Sequence, residues 1–226
     1  MINLSICSHR EWSNSICDEL SKTYKDKNIK IEKFENNDEL LKSLDSNKNF
    51  DAILFIGWND ILPKEIVDNN LCICLHPSLL PKYRGGSPIQ HQMINGEKYS
   101  GVTIFKMDEG IDTGPVFFQE KFLIEDLELN DVFIEIINIG IKGFSKLINV
   151  LIDGEEILFE GQNHNEASTY KRRKPEESEI DIEDFDNFTS KQLSNKINSL
   201  QDPYPNAYIK CKDGTRLYIK SSWYEE

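Results

Sequence analysis

The sequence predicts an α/β fold built on a doubly wound, mostly parallel sheet. Short apolar segments alternate along the chain with amphipathic segments of helical period, as expected for strands and helices arranged in layers. Two apolar runs, 51–56 and 71–75, are continuous rather than alternating, which is typical of parallel strands covered by helices on both faces. The 226 residues fit one large domain, or one core with a small annex.

The elements of the main part follow from these patterns and from their end signals. Proline at a first helical position marks the helices that begin at Pro63 and Pro88, and Ser87 is expected to cap the second of them. Gly154 ends the last helix. The predicted order is strand 2–7, helix 12–23, strand 29–34, helix 38–44, strand 51–56, helix 63–68, strand 71–75, helix 88–95, strand 101–107, strand 116–119 and helix 129–151.

The remainder of the chain changes character. A basic run at 171–174 is followed by an acidic stretch, which is expected to be a solvated face. A helix is predicted at 190–200, and strands 208–210 and 217–221 around Asp213 and Gly214 form a hairpin signal. The prediction is therefore a Rossmann-like core, residues 1–160, with a small C-terminal helix and hairpin extension, residues 161–226. The hairpin is a candidate surface for a homodimer.

Composition excludes several classes of protein. Lys and Arg number 26 against 39 Asp and Glu, so the net charge of −13 argues against a nucleic-acid partner. The five cysteines follow neither a disulfide nor a zinc spacing, and Cys72 and Cys74 lack a second ligand pair, so no metal is expected. No apolar window is long enough to span a bilayer and no signal peptide is evident, hence no membrane partner and a cytoplasmic location are expected.

One histidine and one aspartate stand where chemistry is expected in such a fold. His76 ends a predicted buried strand, and Asp112 lies in the glycine-flanked loop after a neighbouring strand. Ligands bind beyond the carboxyl ends of strands in doubly wound sheets, so the two side chains are a candidate acid-base pair. A structural histidine and a coincidental loop aspartate remain the alternative at this point.

Two long motifs carry a family resemblance. Residues 75–88 read LHPSLLPKYRGGSP and residues 110–115 read GIDTGP. In this order and at this separation they resemble the signature of the folate-dependent formyltransferases. The resemblance implies that residues 1–160 form a formyltransferase catalytic domain and that the formyl donor is N10-formyltetrahydrofolate. It also implies catalytic roles for His76 and Asp112.

The same resemblance exposes one departure. The family usually carries asparagine two residues before the catalytic histidine, as a donor to the formyl oxygen, whereas this chain has Cys74. A thiol is a weak donor, and loss of one oxyanion donor commonly costs about 10²–10³ in rate. We expect a compensating donor, with a backbone N–H, Asn59 and Gln90 as candidates. The alternative is a pseudoenzyme that binds folate or sugar.

Other residues are expected to bind ligands, the folate loop by resemblance and the substrate contacts by their position and charge. The loop 57–63, GWNDILP, resembles the loop that recognises the pterin ring, which implicates Trp58, Asp60, Ile61 and Leu62, with Asp108 on the opposite wall. An ordinary strand-to-helix turn is the alternative. The expected substrate contacts lie in the turn after His76, after the first strand and in the basic run, namely Arg84, Gly85, Gly86, His9, Arg10, Arg172 and Arg173. Arg84 is expected either to bind phosphate or to shape its loop, and a solvated turn is the alternative for the basic run.

The tail points to a substrate class. Residues 170–175, YKRRKP, and 202–207, DPYPNA, resemble the nucleotide-sugar N-formyltransferases, most of all the pseudaminic-acid type. The expected acceptor is therefore the primary amine of a nucleotide-linked amino sugar, UDP favoured over dTDP. The alternatives are a methionyl-tRNA formyltransferase, a glycinamide ribonucleotide formyltransferase and a formyl-folate hydrolase that uses the same two residues on water.

Overall fold

The computed structural model describes residues 1–46 and 48–225, which form a central sheet flanked by helices and a small C-terminal extension. In chain order the elements are β1 (Ile2–Cys7), α1 (Glu11–Tyr24), β2 (Ile29–Phe34), α2 (Asn37–Asp45), β3 (Ala52–Ile56), α3 (Lys64–Asn69), β4 (Cys72–His76), β5 (Arg84–Gly85), α4 (Pro88–Ile94), β6 (Tyr99–Lys106), β7 (Val116–Leu123), α5 (Leu129–Asp153), β8 (Thr169–Tyr170), α6 (Asp184–Asn187), α7 (Ser190–Asn198), β9 (Ala207–Lys210) and β10 (Arg216–Ile219).

The central sheet has six strands in the order β2-β1-β3-β4-β6-β7. The first four are parallel, whereas β6 runs antiparallel to both β4 and β7. Every residue of β3 is buried, as its continuous apolar run predicts. The predicted Rossmann-like, mostly parallel α/β fold is confirmed, and the strand direction reverses between β6 and β4, the strand that ends at His76.

The sheet is covered on both faces. Ile16 of α1 and Ile136 of α5 pack with Leu54 and Ile73 in the larger apolar cluster. On the other face, Leu40 of α2 and Val67 of α3 pack with Ile53 and Phe55 of β3 and with Cys72. Because side chains alternate along β4, Cys72, Cys74 and His76 share one face of the sheet.

The chain after α5 folds back along the main part before it forms the extension. Glu160 bridges to Val116, and β8 pairs in parallel with β5. Thr189 and Gln192 form a reciprocal cap at the start of α7. A separate small cluster joins α7 to the hairpin of β9 and β10 through Ile180, Ile197, Leu200 and Ala207. Pairing of two subunits through this hairpin stays a prediction.

The sequence-based bounds of the predicted elements hold to within a few residues, except for β7. β7 continues to Leu123 because β6 pairs with it along that length. The short strands β5 and β8 and the short helix α6 were not predicted. Ser87 does precede α4, but within the described part of the chain its hydroxyl accepts the Arg173 N–H at 3.1 Å rather than an N–H of that helix, so its expected side-chain capping is wrong.

No helix within residues 1–46 and 48–225 is both long and apolar enough to cross a membrane. Over those same residues, no three His, Cys, Asp or Glu side chains gather in a way that would hold a metal ion.

Candidate active site

His76 and Asp112 meet at the carboxyl edge of the sheet. His76 is the last residue of β4 and is only 6% exposed. Its Nδ1 lies 3.4 Å from Oδ2 of Asp112, which the loop between β6 and β7 carries to the same edge. The two side chains that the sequence singled out are therefore in contact.

Two backbone groups of one short segment fix this pair. The Tyr83 carbonyl lies 2.7 Å from His76 Nε2, and the Gly85 N–H donates to Asp112 Oδ2 at 2.8 Å. Because a carbonyl only accepts, Nε2 carries a proton. Nδ1 then faces a carboxylate oxygen, so both ring nitrogens point at acceptors.

The loop of Asp112 is held in an unusual conformation. Asp112 has a left-handed φ of 54°, which for a residue other than glycine requires support from its surroundings. Gln162 supplies it, because its Nε2 donates to the carbonyl oxygens of Asp112 and Gly114 at 3.0 and 2.7 Å. Gln162 carries no motif in the sequence, and the prediction missed it.

Arg84 completes this support from the other side. It is 6% exposed, and its Nη2 donates to Gln162 Oε1 at 2.6 Å and lies 3.1 Å from His164 Nδ1. Of the two roles expected for Arg84, these contacts match the shaping of the loop. Phosphate contact by Arg84 stays a prediction, and one that such deep burial disfavours.

Gly85 and Gly86 allow the tail to approach closely. Gly85 has a left-handed φ of 92°, and a Cβ on Gly86 would collide with the backbone of Arg172. The Gly86 N–H donates to the Tyr170 carbonyl at 2.9 Å. The two glycines thus set the distance between the turn after His76 and the basic run, and any direct contact of theirs with substrate stays a prediction.

Cys74 lies two residues before His76 on the same face of β4. Burial raises the pKa of the Cys74 thiol well above its ordinary value, with the nearby Asp112 carboxylate as a second cause, so the thiol is neutral at physiological pH. Its Sγ lies 3.6 Å from the Leu75 carbonyl.

Two side chains were expected to compensate for a missing asparagine. Asn59 has both ends of its amide engaged, with Arg172 and His9. Gln90 is buried, and its Nε2 has no partner among the described residues. Of the two, Gln90 therefore retains an unused donor.

A polar chain links the loop after β3 to the tail. Arg172 Nη2 donates to Asn59 Oδ1 at 2.6 Å, and this fixes the amide so that Nδ2 faces His9 Nε2 at 3.3 Å. His9 must accept that hydrogen bond, so its Nε2 is unprotonated. Burial, and then the neighbouring Arg10, lower the pKa of His9, in agreement with a neutral ring.

The residues expected to bind folate differ in burial and in the contacts they make. Trp58 packs edge-on against Phe55 and His9, and its Nε1 donates to Asn37 Oδ1 at 3.1 Å. Leu62 is buried in the apolar cluster below, whereas Asp60 is exposed and Ile61 is 86% exposed. Asp108 accepts from the Gly110 N–H and the Thr113 hydroxyl, and so shapes its own loop.

The two remaining cations lie near the tail. The guanidinium of Arg10 lies 5.4 Å from the ring centre of Tyr204. Arg173 is part-buried, donates through Nη2 to the Glu177 carbonyl at 2.6 Å, and has a pKa lowered by burial. Together with Arg172 they form a basic rim, defined here as Arg10, Arg172 and Arg173.

Comparison with known proteins decides the family. Residues 9–132, more than half of the chain, match the family described as Formyl transferase. The chain belongs to the formyl transferase family. The contact between His76 and Asp112 lies within the matched region.

Individual members of the formyl transferase family resemble the chain to different extents. A methionyl-tRNA formyltransferase of Campylobacter lari is 36% identical over 168 residues, which cover 74% of this chain and 52% of that protein. The chain spans about half the length of the curated relatives it matches.

Solved structures in the formyl transferase family share the fold. A methionyl-tRNA formyltransferase from Clostridium thermocellum is 28% identical, with a TM-score of 0.79 over 97% of each chain. A sugar N-formyltransferase from Shewanella sp FDAARGOS_354 is 20% identical, with a TM-score of 0.77 over 100% of each chain. At 20% identity, the likeness to the Shewanella structure shows a shared fold.

Proposed function

We propose that this protein transfers the formyl group of N10-formyltetrahydrofolate to the primary amine of a nucleotide-linked amino sugar. The observation that carries the proposal is the contact of His76 Nδ1 with Asp112 Oδ2 at the carboxyl edge of the sheet, in a chain of the formyl transferase family. The motifs at residues 170–175 and 202–207 favour a UDP-linked acceptor over a dTDP-linked one.

The reaction needs an oxyanion donor and a path for one proton. The amine nitrogen attacks the formyl carbon and forms the new C–N bond, while the carbonyl oxygen takes the negative charge. The bond from carbon to N10 then breaks, and the proton lost by the amine ends on N10. A protonated Nδ1 of His76 stabilises the oxyanion, and Asp112 orients the ring and relays the proton.

The geometry suits that division of work. At 3.4 Å the contact between Nδ1 and Oδ2 is longer than a usual N–H···O hydrogen bond, so an Nδ1–H keeps most of its capacity to donate to an oxygen that approaches it. Nε2 is committed to the Tyr83 carbonyl. One ring nitrogen therefore anchors the imidazole and the other serves the reaction.

The residues expected to bind folate fit a flat, partly apolar donor. Ile61 exposes its apolar side chain at the tip of the loop after β3, and burial under a pterin ring would stabilise the complex at about 25 cal/mol per Å² of covered apolar area. Ile61 and Trp58 would then flank the ring, and Asp108 would stand on the opposite wall.

The acceptor half is supported by the basic rim. Arg172 and Arg173 follow β8 after Lys171, and β8 pairs with β5, whose Gly85 N–H donates to Asp112. Guanidinium groups bind diphosphate oxygens with paired hydrogen bonds. In a protein of net charge −13, such a local cluster favours a small anion over a long polyanion.

A methionyl-tRNA acceptor is the second candidate, favoured by the names of the curated relatives and of the Clostridium thermocellum structure. Binding of tRNA depends on extensive neutralisation of backbone phosphates by Lys and Arg. The excess of 39 acidic over 26 basic residues opposes such contacts and weighs for the sugar nucleotide.

A direct assay tests the proposal. The protein is incubated with N10-formyltetrahydrofolate and, in parallel, with UDP- and dTDP-linked amino sugars and with initiator methionyl-tRNA. We expect mass spectrometry to find one added formyl group on a UDP-linked amino sugar, and none with His76→Ala. Formylation of methionyl-tRNA alone would replace the proposal by the second candidate.

Two further outcomes would overturn it. Release of formate without any amine would indicate a hydrolase. Tight binding of folate in calorimetry without turnover of any acceptor would indicate a binding protein, for which the replacement of asparagine by Cys74 would be the cause.

A further inference from the structure

Tyr83 connects the catalytic histidine to a second set of polar side chains. Its carbonyl lies 2.7 Å from His76 Nε2, and its backbone has a left-handed φ of 59°. That conformation is unfavourable for a residue other than glycine. Contacts elsewhere must therefore hold Tyr83 in place.

The side chain of Tyr83 provides those contacts. The ring is 6% exposed and stacks on Tyr170 with centroids 4.8 Å apart and planes inclined by 8°. Its hydroxyl donates to Glu97 Oε1 at 2.7 Å and accepts from Asn95 Nδ2 at 3.1 Å. The Tyr83 N–H donates to Ser168 Oγ at 2.9 Å.

We propose that Tyr83 is a positioning residue for His76, held in place by Glu97, and that its carbonyl keeps the Nε2–H of the imidazole in a hydrogen bond. The carbonyl of Tyr83 accepts this hydrogen bond only while the backbone stays in its left-handed conformation. The hydroxyl bond to Glu97 is the contact that resists its relaxation. Nδ1 is thereby left to face Asp112 and the substrate.

This inference rests on the proposed function in one respect, since it takes His76 as the reacting group. It adds two positioning residues. Tyr83 contacts His76, and Glu97 acts on His76 through Tyr83. A purely structural role would change stability alone. A positioning role changes the chemical step at unchanged substrate affinity and changes the state of the His76 ring.

Four variants separate these roles. Tyr83→Phe keeps the stacked ring and loses the hydroxyl, Glu97→Ala removes the acceptor, and Glu97→Gln keeps an acceptor oxygen without the charge. Tyr99→Phe removes a hydroxyl from an exposed tyrosine outside the network and serves as the matched control.

We expect Tyr83→Phe and Glu97→Ala each to lower kcat three- to tenfold, about the effect of one lost hydrogen bond, with both KM values within twofold of wild type. Glu97→Gln should restore kcat to within twofold. The double variant Tyr83→Phe with Glu97→Ala should be no slower than either single one, because both remove the same contact. Tyr99→Phe should match wild type.

A second measurement does not depend on turnover. In protein with ¹⁵N-labelled histidine, assigned with His76→Ala, the His76 spectrum should show a protected Nε2–H in wild type, in Glu97→Gln and in Tyr99→Phe. The proton should exchange faster with water in Tyr83→Phe and Glu97→Ala.

The outcomes are distinct. Unchanged kcat and unchanged His76 signals in Tyr83→Phe would overturn the inference, as would a lower kcat with an unaltered His76 spectrum. If the wild-type protein formylated no amine, the proposed function would fall, and the spectra would still decide whether Tyr83 and Glu97 set the state of His76.

Discussion

At the scale of single residues, the reacting pair depends on contacts of opposite kinds. His76 donates to a carbonyl, and Asp112 accepts from an amide, so neither side chain is free to turn away. We expect His76→Ala and Asp112→Ala each to lower kcat by about 10²–10⁴, the usual range for an acid-base group. Steady-state rates with the formyl donor and the sugar acceptor measure this.

A matched variant separates charge from shape in that pair. Asp112→Asn keeps an oxygen that accepts the Gly85 N–H and loses the carboxylate. It should keep the wild-type melting temperature and still be as slow as Asp112→Ala. Near-normal turnover in Asp112→Asn would contradict the role of the carboxylate in proton relay.

At Cys74 we expect a substitution to raise kcat rather than lower it. Its neutral thiol lies near the Leu75 carbonyl, so it is a poor donor to an oxyanion. We expect Cys74→Asn to raise kcat, by up to about 10², because an amide N–H would face the formyl oxygen. Cys74→Ala, which removes the thiol and adds no donor, should stay within a fewfold of wild type. An unchanged kcat in Cys74→Asn would mean that another donor, such as Gln90, already serves.

His9 offers a test by titration. Its pKa is lowered by burial and then by Arg10, with Arg172 a further cause. The ring should thus stay neutral to a pH below the ordinary range for histidine, and below its folded-state pKa protonation should break the contact with Asn59. Arg10→Ala should raise the pKa of His9 in an NMR titration, whereas Arg216→Ala, on the hairpin, should leave it unchanged. A fall in the pKa on loss of Arg10 would contradict this account.

At the scale of elements, the pairing of β5 with β8 joins the turn after His76 to the tail. Gly86 permits it, because a Cβ there meets the Arg172 backbone. We expect Gly86→Ala to lower the free energy of unfolding by about 1–3 kcal/mol and to reduce turnover, since a backbone cannot yield as a flexible side chain can. Chemical denaturation measures the first effect.

Gly161 provides the control for that change. A Cβ on Gly161 meets nothing within 4 Å, so Gly161→Ala should leave stability within about 0.5 kcal/mol of wild type. Equal losses in the two variants would show that the close approach at Gly86 does not matter.

The elements also show why part of the site was predictable. The period of their apolar residues predicts the long strands and helices. The continuous apolar run of β3, and the end of the β4 run at His76 and Pro77, predict that His76 lies at a strand end. β5 and β8 have two residues each, too few for any period. Gln162, Glu97 and Ser168 act through tertiary contacts far apart in sequence, and no local pattern marks them.

Ser87 and Arg84 illustrate the same limit at known motifs. Ser87 stands where a helix cap is expected, but the tail brings the Arg173 N–H to its hydroxyl. Arg84 stands where a phosphate contact is reasonable, but Gln162 and His164 take its guanidinium. In both cases the side chain forms a hydrogen bond with a residue of the distant tail, which no local sequence pattern marks.

At the scale of the whole molecule, charge is distributed unevenly. The net charge is −13, yet the basic rim gathers three arginines beside the carboxyl edge of the sheet. A local cluster attracts a small anion at short range, whereas the overall charge repels a long polyanion at distances up to about 10 Å in physiological salt. The proposed acceptor and the second candidate should therefore respond differently to changes in the rim.

We expect the double variant Arg172→Ala with Arg173→Ala to raise the Kd for UDP about tenfold or more in calorimetry, since it removes two charge-assisted donors. The double variant Lys25→Ala with Lys27→Ala lowers the net charge by the same two units from exposed positions just after α1, away from the carboxyl edge, and should leave the Kd unchanged. An equal loss in both would show that only total charge matters. Wild-type protein should bind initiator tRNA more weakly than UDP at the same salt concentration, and tighter binding of tRNA would favour the second candidate.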